Sequence, residues 1–228
     1  MTATSPADPD LDLAPEPTSA EAAAVDEAAP SAPPARKRPR PGERRAQILQ
    51  TLAHMLEQPG TDRITTAALA ARIGVSEAAL YRHFASKAQM FEGLIEFVET
   101  SVFSLINQIV AREADGRVQA ARAIAVLLQF GDRNPGMTRV MVGDALVFEH
   151  DRLQARMNLF FDRIESTCRQ SLRQAAELRG SSTPTVDATA QASVLVSFAL
   201  GRLQRYARSD FKRSPIEHLE PALQLLLG

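Results

Sequence analysis

The chain has a single cysteine, Cys168, so no intrachain disulfide can brace it. It has no unbroken run of about 18 apolar residues, the length that spans a bilayer. Its first 35 residues carry seven acidic side chains and no Lys or Arg, the opposite of a signal peptide's basic start, so a cytoplasmic protein without a membrane span is expected. The four histidines, His54, His83, His150 and His218, are dispersed, and neither a glycine-rich phosphate loop nor metal-ligand spacing occurs. Glu149-His150-Asp151 is a dense polar triplet, but neighbouring helical residues point in different directions, which disfavours a shared metal. No catalytic set, metal centre or cofactor is expected.

What is present suits a compact helical protein: 228 residues, 45% of them hydrophobic although only 5% are aromatic. Cys168 lies in the apolar series Leu153, Met157, Phe160, Phe161, Ile164, Cys168, Leu172 and reads as a buried helical thiol. The formal net charge of −1 hides a polarity: removing the seven negative charges of residues 1–35 leaves +6 for the remainder. That leader is rich in Ala and Pro, nearly devoid of bulky apolar residues, and expected to be disordered. Arg36-Lys37-Arg38-Pro39-Arg40-Pro41-Gly42-Glu43-Arg44-Arg45 follows it. This basic run suits a phosphate or minor-groove arm; the alternative is a cluster that aids solubility or folds back on the acidic leader. Ile48, Leu52, Met55 and Leu56 then mark a first amphipathic helix.

The strongest local signal runs from Thr65 to Phe84 and spells two short helices around a glycine. Thr66 is a good N-cap for the first, with Leu69, Ala70 and Ile73 on one inward face. Gly74 stops it, because a residue without Cβ enters the left-handed conformation that a tight turn requires, and Val75 is placed to pack between the helices. Ser76 caps the second helix, in which Leu80 and Phe84 face the core while Glu77, Ala78, Tyr81 and Arg82 lie on other faces. Such a helix fits a major groove about 12 Å wide. Two helices of this kind also occur in ordinary helical domains. Here, however, Ser86 and Gln89 form a capping box that launches a long helix carrying Met90, Phe91, Leu94, Ile95, Val98, Val102, Leu105, Ile106 and Ile109.

A helix-turn-helix followed by Tyr81-Arg82-His83-Phe84-Ala85-Ser86-Lys87 resembles the TetR family of helical transcription regulators. Further runs are similar to those of family members that act in nucleoid occlusion: Arg63-Ile64-Thr65-Thr66-Ala67, Leu94-Ile95-Glu96-Phe97, Arg133-Asn134-Pro135-Gly136, Phe148-Glu149-x-Asp151-Arg152-Leu153-Gln154 and Arg208-Ser209-x-Phe211-Lys212. The likeness spans residues 43 to 228. It implies an all-α, TetR-like fold: a leader and arm at 1–42, a three-helix helix-turn-helix head at 43–89, and a helical dimerisation and partner-binding body at 90–228. A homodimer joined by its last long helices would read a palindromic duplex.

For DNA, the resemblance implies Arg44, Thr65, Thr66, Ser76, Glu77, Ala78, Ala79, Tyr81, Arg82, His83 and Lys87, with Thr65 and Thr66 on phosphate and Lys87 as the family's phosphate-contacting lysine. The local alternatives are that Thr66 and Ser76 act as caps, that Tyr81 packs on Lys87, and that His83 serves the turn. Glu77 opposes simple electrostatic binding unless it accepts from a cytosine amine or orients Arg82. In the body, the resemblance implies that Phe97, Val126, Gln129, Phe130, Arg133 and Asn134, between the fourth and fifth helices, receive the C-terminal tail of the division protein FtsZ. Arg133 would pair with an acidic tail residue and Asn134 with backbone; Gln129 stands where a glycine is expected. Read without the resemblance, Arg133 to Gly136 is a helix-terminating turn.

The remaining expectations are coarse. One helix holds Ala121, Ile124, Ala125 and Leu128 and closes near Phe130-Gly131; another runs from about Thr138 to Phe148; long ones cover about 153–178 and 186–209; a short one lies near 216–227. Val186, Ala190, Val194, Leu195, Phe198, Ala199 and Leu203 ring their helix too fully for one-sided burial, as a dimer interface would require. Two functions are consistent with this pattern: a DNA-activated division inhibitor associated with the nucleoid, and a ligand-responsive repressor.

Overall fold

A computed structural model describes residues 42–58 and 63–228. The acidic leader and most of the basic arm lie outside the described residues. Among those described there are nine α-helices and no strand: α1 (Glu43–Leu56), α2 (Thr66–Ile73), α3 (Glu77–Tyr81), α4 (Lys87–Arg112), α5 (Gly116–Arg133), α6 (Pro135–Met141), α7 (Asp151–Leu178), α8 (Pro184–Arg208) and α9 (Leu219–Leu227), with a 3-10 turn at Asp144–Leu146.

The head forms as its local chemistry dictates. Ile48, Leu52 and Leu56 of α1, Leu69 and Ala70 of α2, Leu80 and Phe84 are buried together. Gly74 ends α2 at φ 77°, and the Val75 amide donates back to the Ala70 carbonyl at 3.0 Å, closing the turn. Ser76 caps α3 by accepting from the Ala79 amide, and Ser86 caps α4 by accepting from the Gln89 amide. The cap of α2 differs from expectation. Thr65 accepts from the Ala68 amide at 3.1 Å, and Thr66 is already helical, its hydroxyl engaged elsewhere.

α4 buries Met90, Phe91, Leu94, Ile95, Val98, Val102, Phe103 and Ile106, whereas Leu105 is 48% exposed. Its average hydropathy over 18 residues is high enough to cross a membrane, which the lack of an unbroken apolar run did not anticipate. Part of that apolar content is the face just named, which fills the core, while Phe97, Leu105 and Val110 on the same helix are exposed. Every member of the Leu153-to-Leu172 series on α7 is buried, and burial pushes the Cys168 thiol up to about 12. Each large side chain wholly removed from water contributes about 1.5–3 kcal/mol.

The stretch after α5 departs from the sequence reading. α5 does not stop at Gly131 but continues to Arg133, because Gly131 is a contact rather than a break: a Cβ there would lie 2.5 Å from the Leu203 side chain. α6 starts at Pro135, whose missing N–H costs nothing at a first helical position, and ends at Met141 instead of continuing to Phe148. Gly143, at φ 88°, turns the chain there. α6 packs on α1 of the head and on α4, α5 and α8 of the body, so it bridges the two parts.

Candidate nucleic-acid and partner interfaces

The head brings together the first turn of α2 and the outer face of α3. Thr65 and Ser76 are exposed, and each hydroxyl satisfies one orphan amide at its helix start while the helix N-terminus remains open to an anion. Thr66 donates its hydroxyl to Glu77 Oε2 at 2.6 Å and so ties α2 to α3. The Glu77 carboxylate therefore has a donor within the head. Ala78, Arg82 and His83 are exposed, Tyr81 is 45% exposed and Ala79 is half-buried. Arg44, half-buried on α1, donates to Gln47 Oε1 at 2.8 Å. Lys87 is turned inward: its ammonium meets the Glu149 carboxylate across 62 residues of sequence and sits 5.6 Å from the Phe91 ring centroid.

That pair opens a line of ion pairs between α4 and the start of α7. Arg152 donates to Glu92 at 2.7 Å, and Arg156 meets both oxygens of Glu99 at 3.0 and 2.5 Å. The hydrogen bonds it donates to Glu99 are the main reason the Arg156 guanidinium is held above its ordinary range. The Glu149-His150-Asp151 triplet does diverge: Glu149 takes Lys87, His150 Nδ1 caps α7 by accepting from the Arg152 amide at 3.2 Å, and Asp151 begins the helix.

On the body, the fourth and fifth helices meet at two aromatic rings. Phe97 of α4 is 51% exposed, and its ring lies 5.9 Å from that of Phe130 on α5, tilted by 49°. Val126 is half-buried one turn back, and Arg133 is exposed one turn on. Asn134 spends its amide N–H on the Phe130 carbonyl at 2.7 Å, which finishes α5. The neighbouring Asp132 is stitched to the far end of the body: its carbonyl accepts from the Tyr206 hydroxyl at 3.1 Å and its carboxylate from the Ser214 hydroxyl at 2.7 Å. Burial, followed by the Asp132 charge, raises the Tyr206 phenol above its ordinary value. Gln129 is not gathered with the rest. It lines an open trough of about 800 Å³ between α5 and α9, with Val118, Ala121, Ala125, Leu219 and Leu223.

Residues 48–94 match the description "Bacterial regulatory proteins, tetR family", and residues 115–228 match an SlmA-like "Tetracyclin repressor-like, C-terminal domain". The nucleoid occlusion factor SlmA of Idiomarina loihiensis is 51% identical over 183 residues, covering 80% of this chain and 93% of that protein. The SlmA of Photobacterium profundum is 52% identical over 184 residues, again 80% of this chain and 93% of the relative. The chain belongs to the SlmA family. Among solved structures, the TetR family regulator PfmR from Thermus thermophilus superposes with a TM-score of 0.65 at 20% identity, over 80% of this chain and 95% of that one. The MbdR regulator from Azoarcus does so with 0.66 at 18% identity, over 80% and 96%. These two show the all-α TetR fold. Membership of the SlmA family makes the protein a helix-turn-helix DNA-binding regulator and not an enzyme.

Two residues escaped the sequence reading of this SlmA-family head. Arg45 donates to the His83 carbonyl at 2.9 Å and lies 4.0 Å over the Phe84 ring, bracing the end of α3 from α1. In sequence it is only one more member of a basic run. Glu149 is visible in the polar triplet, but its partner Lys87 lies too far away in sequence for spacing to reveal the pair.

Proposed function

We propose that the protein is a cytoplasmic, nucleoid-associated division inhibitor. Homodimers bind palindromic sites on the chromosome through paired α3 helices, and the DNA-bound form takes the FtsZ C-terminal tail on the α4–α5 face and antagonises FtsZ assembly over the nucleoid. The observation that carries this reading is a surface aromatic pair, Phe97 on Phe130, set beside the exposed Arg133: an apolar seat with a cation at its edge, suited to a short acidic-apolar peptide. Kinship to nucleoid occlusion factors at 51% identity gives it context. Dimerisation is supported by α8, whose outer face carries Val186 at 67% and Val194 at 50% exposure together with Ala190 and Gly201; a methyl group at Gly201 would meet nothing within 4 Å. DNA contact through Thr65, Ser76, Ala78, Tyr81, Arg82 and His83 is supported by their common exposure on the α2–α3 surface. Lys87 would have to leave Glu149 to reach a phosphate.

A second reading, a ligand-responsive repressor, rests on the α5–α9 trough, where an apolar effector would bind and release DNA. The deciding experiment is fluorescence anisotropy of a labelled FtsZ tail peptide titrated with the protein, with and without a palindromic duplex. Peptide binding that persists or tightens on DNA is expected. A protein that binds the duplex but not the peptide in either condition overturns the first reading in favour of the second.

A further inference from the structure

The connection between α8 and α9 is built as a fixed strap tied to the end of α5. Its backbone takes left-handed conformations at Asp210 (φ 48°) and Phe211 (φ 61°), an arrangement that survives in non-glycine residues only where the surroundings impose it. Those surroundings are visible. The Phe211 ring packs edge-on to Tyr206 with centroids 5.1 Å apart, and the Arg139 guanidinium lies 5.2 Å from the same ring and 3.7 Å from the Asp210 carboxylate. Ser214 then hydrogen-bonds Asp132, the residue before Arg133. The strap is thereby tied to Asp132 in the last turn of α5, the helix that ends at Arg133.

Outward, the strap is basic. Arg208, Lys212 and Arg213 are exposed, and among the described residues none of the three forms an ion pair; the nearby Asp210 is directed to Arg139. Arg133 likewise has no ion pair among the described residues. Arg208, Lys212 and Arg213 fall within six residues of sequence, and exposed like charges left without a counter-charge favour a negative partner. None of the three strap cations is on the α2–α3 surface assigned to DNA.

We propose that the partner-binding surface continues from Arg133 onto this strap, with Arg208, Lys212 and Arg213 receiving the acidic side chains of a peptide whose apolar residues sit on Phe97 and Phe130. This rests on the reading of the α4–α5 face as a peptide seat. Rim charges of this type act through encounter rate and salt dependence more than through contact energy.

The test uses the full-length protein with Arg208→Gln, Lys212→Gln and Arg213→Gln combined, and the FtsZ tail peptide in two forms, native and with its acidic residues amidated to Asn or Gln. The native peptide is expected to bind the triple variant about tenfold more weakly than wild type, mainly through slower association, with a flatter salt dependence. The amidated peptide should bind both proteins equally, and duplex affinity should not change. Equal native-peptide affinity for variant and wild type overturns the proposal while leaving the peptide seat intact. Discrimination of the amidated peptide, or a matching loss of duplex affinity, overturns it too, the latter by assigning the strap to nucleic acid. Failure of wild type to bind the native peptide at all refutes the seat itself, and the proposal falls with it.

Discussion

The bridge between head and body hinges on Gly136. The first turn of α6 approaches α1 so closely that a Cβ at this position would stand 2.1 Å from the Ala53 carbonyl oxygen and 3.3 Å from Glu57 Cγ. The Glu57 side chain can swing aside, but the carbonyl belongs to the α1 backbone, so Gly136→Ala requires one helix to move against the other. Overpacking of this kind costs about 1–3 kcal/mol. In a folded unit of this size each kcal/mol lowers Tm by about 2–4 °C, so calorimetry should show a fall of about 2–12 °C. Because α6 carries the strain into α1, duplex affinity measured by anisotropy should weaken alongside. Trimming the neighbour with Ala53→Gly should not restore stability, since the clash is with main chain. A variant that melts within about 1 °C of wild type, or one rescued by Ala53→Gly, would refute the seating of α6 on α1.

Four further outcomes are expected. Thr65→Ala removes the α2 cap, costing about 0.5–2 kcal/mol in urea melts, and weakens duplex binding without affecting the FtsZ peptide; a loss of peptide binding at full duplex affinity would reverse the assignment of faces. Phe97→Ala, at a half-exposed position, should leave stability within about 0.5 kcal/mol while weakening the peptide at least about tenfold, and unchanged peptide affinity would remove the seat from this face. Gly201→Leu should shift light scattering from dimer to monomer, and an intact dimer would show that α8 pairs elsewhere. Cys168 has a folded-state value raised from 9.0 to about 12. The stabilisation from its neutral thiol is thus complete below pH 9 and is lost as pH climbs toward 12, at about 1.4 kcal/mol per pH unit. Urea melts between pH 9 and 11 should fall less steeply for Cys168→Ala than for wild type, and identical slopes would contradict burial of the thiol.

The head was legible because its signals are local. Gly74, Ser76 and Ser86 act on amides within a few residues of themselves, and each does what its type and position indicate. The exception is instructive: Thr65 and Thr66 are equally good caps, and the choice between them depends on Glu77, eleven residues from Thr66 and on another helix. Glycine misled in the body for a related reason. Gly131 looks like a stop signal, yet it is small because Leu203, from α8, presses on it, and nothing in the neighbouring sequence announces that contact. Gln129 and Phe130 are adjacent and were grouped together, but a step of about 100° per residue sends one toward α9 and the other toward Phe97. Lys87 was placed by resemblance on DNA, and its carboxylate partner in the body could be learned only from the fold.

α4 runs for 26 residues without interruption, from Lys87 at the reading head past Phe97 into the body. Ten residues of helix separate the two, an axial distance of about 15 Å. With no hinge between them, the helix behaves as a ruler and a protractor at once. Whatever grips the duplex fixes both how high above the double helix the aromatic seat stands and which compass direction it faces. A single inserted residue would rotate Phe97 by about 100°, whereas four would nearly restore its bearing but lift it by about 6 Å. Drift in this segment is therefore quantised: lengths that differ by a turn preserve the heading of the seat, and those that differ by a residue lose it.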